Sequence, residues 1–236
     1  MSIPKNIAWV QERIRNSAMR AGRDPRDVTL MAVSKTFPAE RIREAYEAGL
    51  RDFGENRVQE FAGKAEALRD LGDACWHMIG HLQSNKAGKA AELFHSVDSV
   101  DSLKLAERLN EAAGRADKKL SVLIEINVAG EAAKSGVAPD SPELEQFLSG
   151  VSQLESLQVN GLMTIPPFFD DPEIARPYFR RLRELRDQIA GRRNMTRIGM
   201  TVLSMGMSHD FEIAIEEGST CIRVGTAIFG ERARKT

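Results

Sequence analysis

Apolar residues along the chain switch repeatedly between two spacings. Near the N-terminus Ile7, Val10, Ile14 and Ala18 recur at helical spacing, which predicts a helix over about 5–20 with one apolar face. Residues 28–33, Val-Thr-Leu-Met-Ala-Val, then form a short apolar run with little polar alternation. Such a run fits a parallel strand covered on both faces. Pro38 opens the next helix, where Ile42, Ala45 and Tyr46 share a face, and Gly49 ends it.

The alternation continues along the chain. Further strands are predicted at 51–53, 76–79, 94–97, 121–127, 159–163, 201–204 and 221–224. Helices are predicted between them at about 56–69, 83–92, 101–114, 142–154, 173–190 and 209–217. In the helix over 173–190, Ile174, Tyr178, Leu182, Leu185 and Ile189 keep an apolar stripe while arginines cover the other side, read as a solvated face. Strict strand–helix alternation implies an α/β fold with parallel pairing and right-handed crossovers. Eight strands favour a closed (β/α)8 TIM barrel with an extra N-terminal helix, and an open doubly wound sheet is the alternative. No Gly-x-Gly-x-x-Gly follows a strand, which removes the usual dinucleotide fingerprint. No linker or composition shift divides the chain, so residues 1–236 read as a single domain.

Composition narrows the function classes. The chain carries 33 Lys+Arg against 34 Asp+Glu, a formal net charge of −1, which gives no general electrostatic case for nucleic acid or an anionic membrane. Cys75 and Cys221 are too few for a disulfide framework or a cysteine-rich metal centre and read as small buried thiols. His77, His81, His95 and His209 lack a metal-binding spacing. The first residues lack the apolar core of a secretory signal, and no apolar run is long enough to span a bilayer. A soluble cytoplasmic protein is the expectation.

In a barrel of this kind chemistry belongs at the C-terminal ends of the strands. Lys35 stands there, directly after the first strand, whereas the other lysines lie in helical, turn or terminal contexts where a solvated ammonium is expected. Desolvation at such a strand end disfavours the ammonium and yields the amine that attacks a carbonyl. On position alone a lysine reaching for water or pairing with Glu55 is an equal reading. Two glycine-containing segments follow, Leu203–Asp210 with Ser208 as the expected helix N-cap, and Arg223–Gly230. Backbone N–H groups around Ser204–Gly206 and Gly225–Thr226 fall at the seventh and eighth strand ends, where barrels often hold a phosphate. A strand-end amine facing a phosphate site points to a phosphorylated aldehyde or ketone. Pyridoxal 5′-phosphate (PLP) fits, and so does a sugar phosphate in a Schiff-base aldolase.

Several segments occur in order: Ala32–Thr36, Phe53–Glu60, His77–Lys86, His95–Asp98, Lys134–Gly136, Gly161–Met163, Leu203–Ser208 and Arg223–Gly230. Together they closely resemble the YggS/PROSC family of pyridoxal phosphate homeostasis proteins across nearly the whole chain. The resemblance implies a PLP fold type III barrel, like the N-terminal domain of alanine racemase, that binds PLP without established turnover. It implies that Lys35 forms an internal aldimine with PLP and that Arg223 partners the pyridine nitrogen. Ser204, Gly206, Gly225 and Thr226 match the phosphate-binding segments, while Asn56, Ile79 and Met205 are expected around the ring. Lys134 is a candidate relay for the aldehyde. Met78 and the Arg197–Val202 lead into the seventh strand depart from the common pattern.

An arginine at the ring nitrogen gives a physical reason for missing turnover. Carbanions on PLP are stabilised best when that nitrogen is protonated. Arginine is a permanent donor with no acceptor and keeps it unprotonated. Racemases of this fold obtain a second base from a tyrosine of another subunit's extra domain. Tyr46 and Tyr178 read here as core-packing residues, and no second domain is read. The expectation is therefore a monomeric PLP carrier supplying apo-enzymes, with a PLP-dependent racemase-like enzyme as the alternative.

Overall fold

The computed structural model describes residues 2–131, 134–192 and 198–231. Helix α1 (Ile3–Arg20) buries Ile3, Ile7, Val10, Ile14, Ser17 and Ala18 along one side. Eight parallel strands then close into a barrel in chain order, β8 pairing back onto β1. The strands are β1 (Thr29–Val33), β2 (Asp52–Glu55), β3 (Cys75–Met78), β4 (Ser96–Val100), β5 (Leu120–Glu125), β6 (Leu157–Met163), β7 (Ile198–Met207) and β8 (Cys221–Val224). Between them run α2 (Ala39–Glu47), α3 (Val58–Ala65), α4 (Ala87–Leu93), α5 (Leu103–Arg115), α6 (Pro142–Val151), α7 (Arg176–Ala190) and α8 (Phe211–Glu216). A one-turn helix, α9 (Thr226–Phe229), follows β8. Helix α1 packs against α8 and α9, and Asn6 Nδ2 donates to Ile228 O at 2.8 Å. The family resemblance and the strand count thus lead to the observed (β/α)8 barrel.

Strand β7 is much longer than the expected 201–204. It begins at Ile198 and runs through register shifts against both neighbours. The bulge against β6 depends on Gly161, where a Cβ would lie 1.9 Å from Val202 O. Arg197, at the start of the lead that departs from the family pattern, lies outside the described residues. The arginine face of α7 is also not simply solvated. Arg176, Arg180 and Arg183 converge on the carboxylate of Glu217, just after α8, at 3.0–3.1 Å.

Side chains of alternate strand residues separate into two layers. The main core lies between barrel and helices and contains Ala32, Phe53, Val122, Ile124, Leu203, Ile222 and Val224. A smaller cluster of Met31, Val33, Ile79 and Cys221 fills the barrel itself. Towards the N-terminal ends of the strands the interior becomes polar, around a cavity of about 360 Å³ lined by Asp52, His77, Ser96, Asp98 and Cys221 among others. There His77 Nδ1 faces Asp98 and Nε2 faces Asp52, each at 3.2 Å. Burial pulls the imidazole pKa down, but the two carboxylates more than offset it and hold it well above its ordinary value. Asp52, Cys75 and His77 bring one ligand atom each within 4.8 Å of one another. A doubly paired imidazolium has no lone pair for a metal, so the cluster reads as an ion-pair network.

Because the folded His77 pKa is raised, its pairing stabilises fully below the unfolded value, about 6.5, and is lost as pH rises through the elevated folded value. Urea unfolding of the wild type should therefore show stability falling on the alkaline side. His77→Gln should flatten that slope and cost about 3 kcal/mol near pH 6, since Asp98 is left buried without its cation. An unchanged pH slope in the variant would remove His77 as its source.

Candidate functional site

At the opposite end of the barrel, the C-terminal ends of the strands surround a cavity of about 410 Å³. Lys35, Asn56, Ile79, Glu125, Arg223, Gly225 and Thr226 contribute to its wall, together with Met207, Ser208 and His209. Lys35 is half-buried and lies two residues beyond Val33 and four beyond Met31, both of which fill the barrel interior. It stands in the turn just beyond the end of β1 and contributes to the cavity wall from there. Glu55, the alternative partner read for Lys35, accepts through Oε1 from Lys64 Nζ at 2.8 Å and Ser34 Oγ at 2.7 Å.

Arg223 follows Cys221 on the inward face of β8 and is only 3% exposed. Its guanidinium donates to Ser204 Oγ at 2.7 Å and to the carbonyl of Thr164 at 2.8 Å. Both acceptors are neutral, and no carboxylate lies within 4.0 Å of it among the described residues. The rest of its donor fork belongs to the cavity wall. Burial lowers its pKa, but an arginine remains charged.

The two glycine-containing segments come together, although not through every expected residue. Ser208 is not the N-cap of α8; Asp210 occupies that place, and its Oδ1 accepts from Met207 N at 2.6 Å. Ser208 Oγ instead accepts from Gly225 N at 3.3 Å and lies 3.5 Å from Ala227 N. These amides converge on one oxygen at the rim, the donor arrangement a phosphate oxygen needs. Ser204, Met205 and Gly206 stand outside the cavity lining. Ser204 is the buried partner of Arg223, and Met205 packs in the core between barrel and helices. Gly206 has φ +95°, and a Cβ there would lie 2.5 Å from the Ala214 methyl, so α8 can approach only a glycine.

Two charged residues that the sequence reading passed over stand in or beside the site. Glu125 ends β5 on its inward face and is 6% exposed. Ser135 Oγ donates to its Oε1 at 3.1 Å, while Oε2 has no hydrogen-bond partner among the described residues. Burial pushes its pKa up. The signal was present in the Lys134-Ser135-Gly136 segment, which folds back so that Val137 N donates to Glu125 O at 2.8 Å. Lys134 lies in an adjoining cavity of about 270 Å³ that shares Glu125, Ser135 and Ile165 with the main one. Lys64 of α3 is the second such residue: it lies outside the cavity lining, part-buried with its ammonium among oxygens.

The remaining candidates lie at the edge or elsewhere. His81 and His209 border the cavity but are exposed, His81 facing Asp101 at 3.0 Å and His209 packing on Phe168. Tyr46 hydrogen-bonds Asp73 and Tyr178 stacks on Phe169; neither lines the cavity. Among the described residues no helix is long and apolar enough to cross a membrane.

A protein-family profile, the alanine racemase N-terminal domain, matches residues 6–233. A pyridoxal phosphate homeostasis protein of Aquifex aeolicus is 47% identical over 232 residues, covering 98% of this chain and 99% of the relative. The solved structure of PipY from Synechococcus elongatus with PLP bound is 40% identical, with a TM-score of 0.80 over 97% of this chain and 100% of that one. An alanine racemase of Clostridium difficile shares the fold at a TM-score of 0.70 and 15% identity, over 97% of this chain and 57% of its own. The chain belongs to the pyridoxal phosphate homeostasis protein family, on the barrel of the alanine racemase N-terminal domain.

Proposed function

We propose that this protein binds PLP in cytoplasmic cofactor homeostasis, holds it covalently on Lys35 and supplies it to apo-enzymes without turnover of its own. It acts in this reading as a monomer through one unit, residues 1–236, with neither nucleic acid nor membrane as partner. One observation carries the reading: Lys35, the buried Arg223 hydrogen-bonded to two neutral acceptors, and Ser208, Gly225 and Thr226 at the rim line one cavity. The names of the Aquifex relative and of the PLP-bound PipY structure support the choice of PLP over a sugar phosphate.

The residues fit that cofactor. PLP supplies an aldehyde, which condenses with a lysine amine with loss of water and is released by the reverse addition of water. Lys35 would supply the amine. The amides of Gly225 and Ala227, with the hydroxyls of Ser208 and Thr226, would hold the phosphate, and Asn56 and Ile79 would border the ring. Arg223 would donate to the ring nitrogen. With no carboxylate beside it to carry a proton, that nitrogen stays unprotonated and carbanion chemistry is disfavoured.

Glu125 favours a second reading, a PLP-dependent racemase-like enzyme. The sequence offered no second acid–base group, yet the cavity holds a buried carboxyl with a raised pKa. A carboxyl that holds its proton more tightly than an exposed glutamate is a candidate acid–base group.

Three outcomes separate these readings. Lys35→Ala should abolish the imine absorbance of the purified protein loaded with PLP, together with the pyridoxyl-lysine trapped by borohydride; equal binding with unchanged absorbance would overturn the covalent assignment. Arg223→Glu should raise ring-nitrogen protonation and speed transamination with added amino acids, whereas unchanged spectra and reactivity would argue against contact with the ring. In deuterated water the wild type should show no α-proton exchange of amino acids. Exchange that is lost in both Lys35→Ala and Glu125→Gln would favour the enzyme.

A further inference from the structure

The turn that carries Lys35 has an improbable backbone. Phe37 N donates to Ser34 O at 3.1 Å, closing a four-residue turn with Lys35 and Thr36 at its centre. Thr36 has φ +69°, the left-handed region that turns of this kind normally assign to glycine or asparagine. For a β-branched residue this is an outlier, kept only where surrounding contacts over-determine it.

Those contacts come from α3 and the end of β2. Lys64 Nζ, from α3, lies 3.4 Å from Ser34 O and 3.2 Å from Phe37 O, the two carbonyls that flank the turn. The same ammonium meets Glu55 Oε1 at 2.8 Å and Glu60 Oε1 at 3.1 Å. Glu60 Oε1 also accepts from Thr36 N at 2.5 Å, and Glu55 Oε1 from Ser34 Oγ at 2.7 Å. Burial raises the Glu60 pKa, but the Thr36 amide and Lys64 more than offset it and keep it below the ordinary value. Glu60 therefore stays an acceptor. The lysine and two glutamates grip the turn at its first, third and fourth residues and leave the second, Lys35, directed into the cavity.

We propose that Lys64 is the positioning residue of this site: its ammonium, with Glu60, holds Thr36 left-handed and so presents the Lys35 amine to its carbonyl partner. The proposal rests on the reading that Lys35 captures PLP, and it adds which residue makes Lys35 competent. Lys64 does not line the cavity, so its effect is transmitted through the backbone of the turn.

A double-mutant cycle tests this on the full chain. Lys64→Met should remain folded, because Glu55, whose pKa burial already raises, can take a proton and become neutral. It should weaken imine formation with PLP about tenfold, the scale on which one strained backbone residue is released. Thr36→Gly in the Lys64→Met background should recover most of that loss, because glycine takes positive φ without steric cost. A lysine that merely stabilises the barrel would give a lowered melting temperature and no rescue. Wild-type affinity in Lys64→Met, or a loss that glycine fails to rescue, would overturn the proposal. Three-bond N–H/Cα–H coupling at Thr36 in cofactor-free protein gives an independent readout: left-handed in the wild type, shifted in Lys64→Met. Identical couplings would overturn positioning even if PLP capture at Lys35 stands. Absence of an imine in the wild type, with couplings that differ, would overturn the PLP reading while leaving the turn mechanism in place.

Discussion

Strand β1 is hydrogen-bonded on one side to β8 and on the other to β2, with Met31 opposite Arg223 and Ala32 opposite Phe53. Held between two neighbours, its residues have no choice of face. Met31 and Val33 enter the barrel, Ala32 enters the layer beneath the helices, and Lys35 follows in the turn at the cavity wall. A slip of one residue would turn Met31 and Val33 out of the barrel and Ala32 into it. The same alternation on β5 and β8 turns Glu125 and Arg223 inward, so closure of the barrel assembles lysine, arginine and carboxyl from three distant parts of the chain.

Closure also sets the electrostatics. A charge inside the barrel is shielded from water, which makes its partners decisive. Arg223 has a hydroxyl and a carbonyl, so it remains a donor with capacity to spare for a ligand. Glu125 has one serine and an unmatched oxygen, so its proton is held more tightly than on an exposed glutamate. At the other end His77 lies between two carboxylates and is held as a cation. The interior thus has an open mouth lined by Lys35, Glu125 and Arg223 and a polar, ion-paired base, separated by the cluster of Met31, Val33, Ile79 and Cys221.

The barrel was legible because helix and strand have different periods, and the buried strands read as short apolar runs. Its irregular parts were not. The length of β7 depends on bulges that only pairing with β6 and β8 creates, and Ser208 looked like a cap because a serine before a helix usually is one. Lys64 and Glu60 look like an ordinary i,i+4 surface pair; nothing local says that α3 lies over the turn after β1. Lys35, Asn56, Ile79, Arg223, Gly225 and Thr226 were placed together by motif, and they do share one cavity. Ser204, Met205 and Gly206 belong to the same motif, but they support the site from behind or pack against α8.

The sequence by itself determined the alternating elements and singled out Lys35 as the lysine at a strand end, because these follow from local spacing and residue chemistry. The tertiary structure alone decided which charges meet. Glu125 became a buried carboxyl only when the Lys134–Gly136 segment folded over it, and Thr36 became left-handed only when α3 brought Lys64 and Glu60 against its turn. Both outcomes depend on removing groups from water and fixing their distances to residues far away in the chain, which no local pattern encodes.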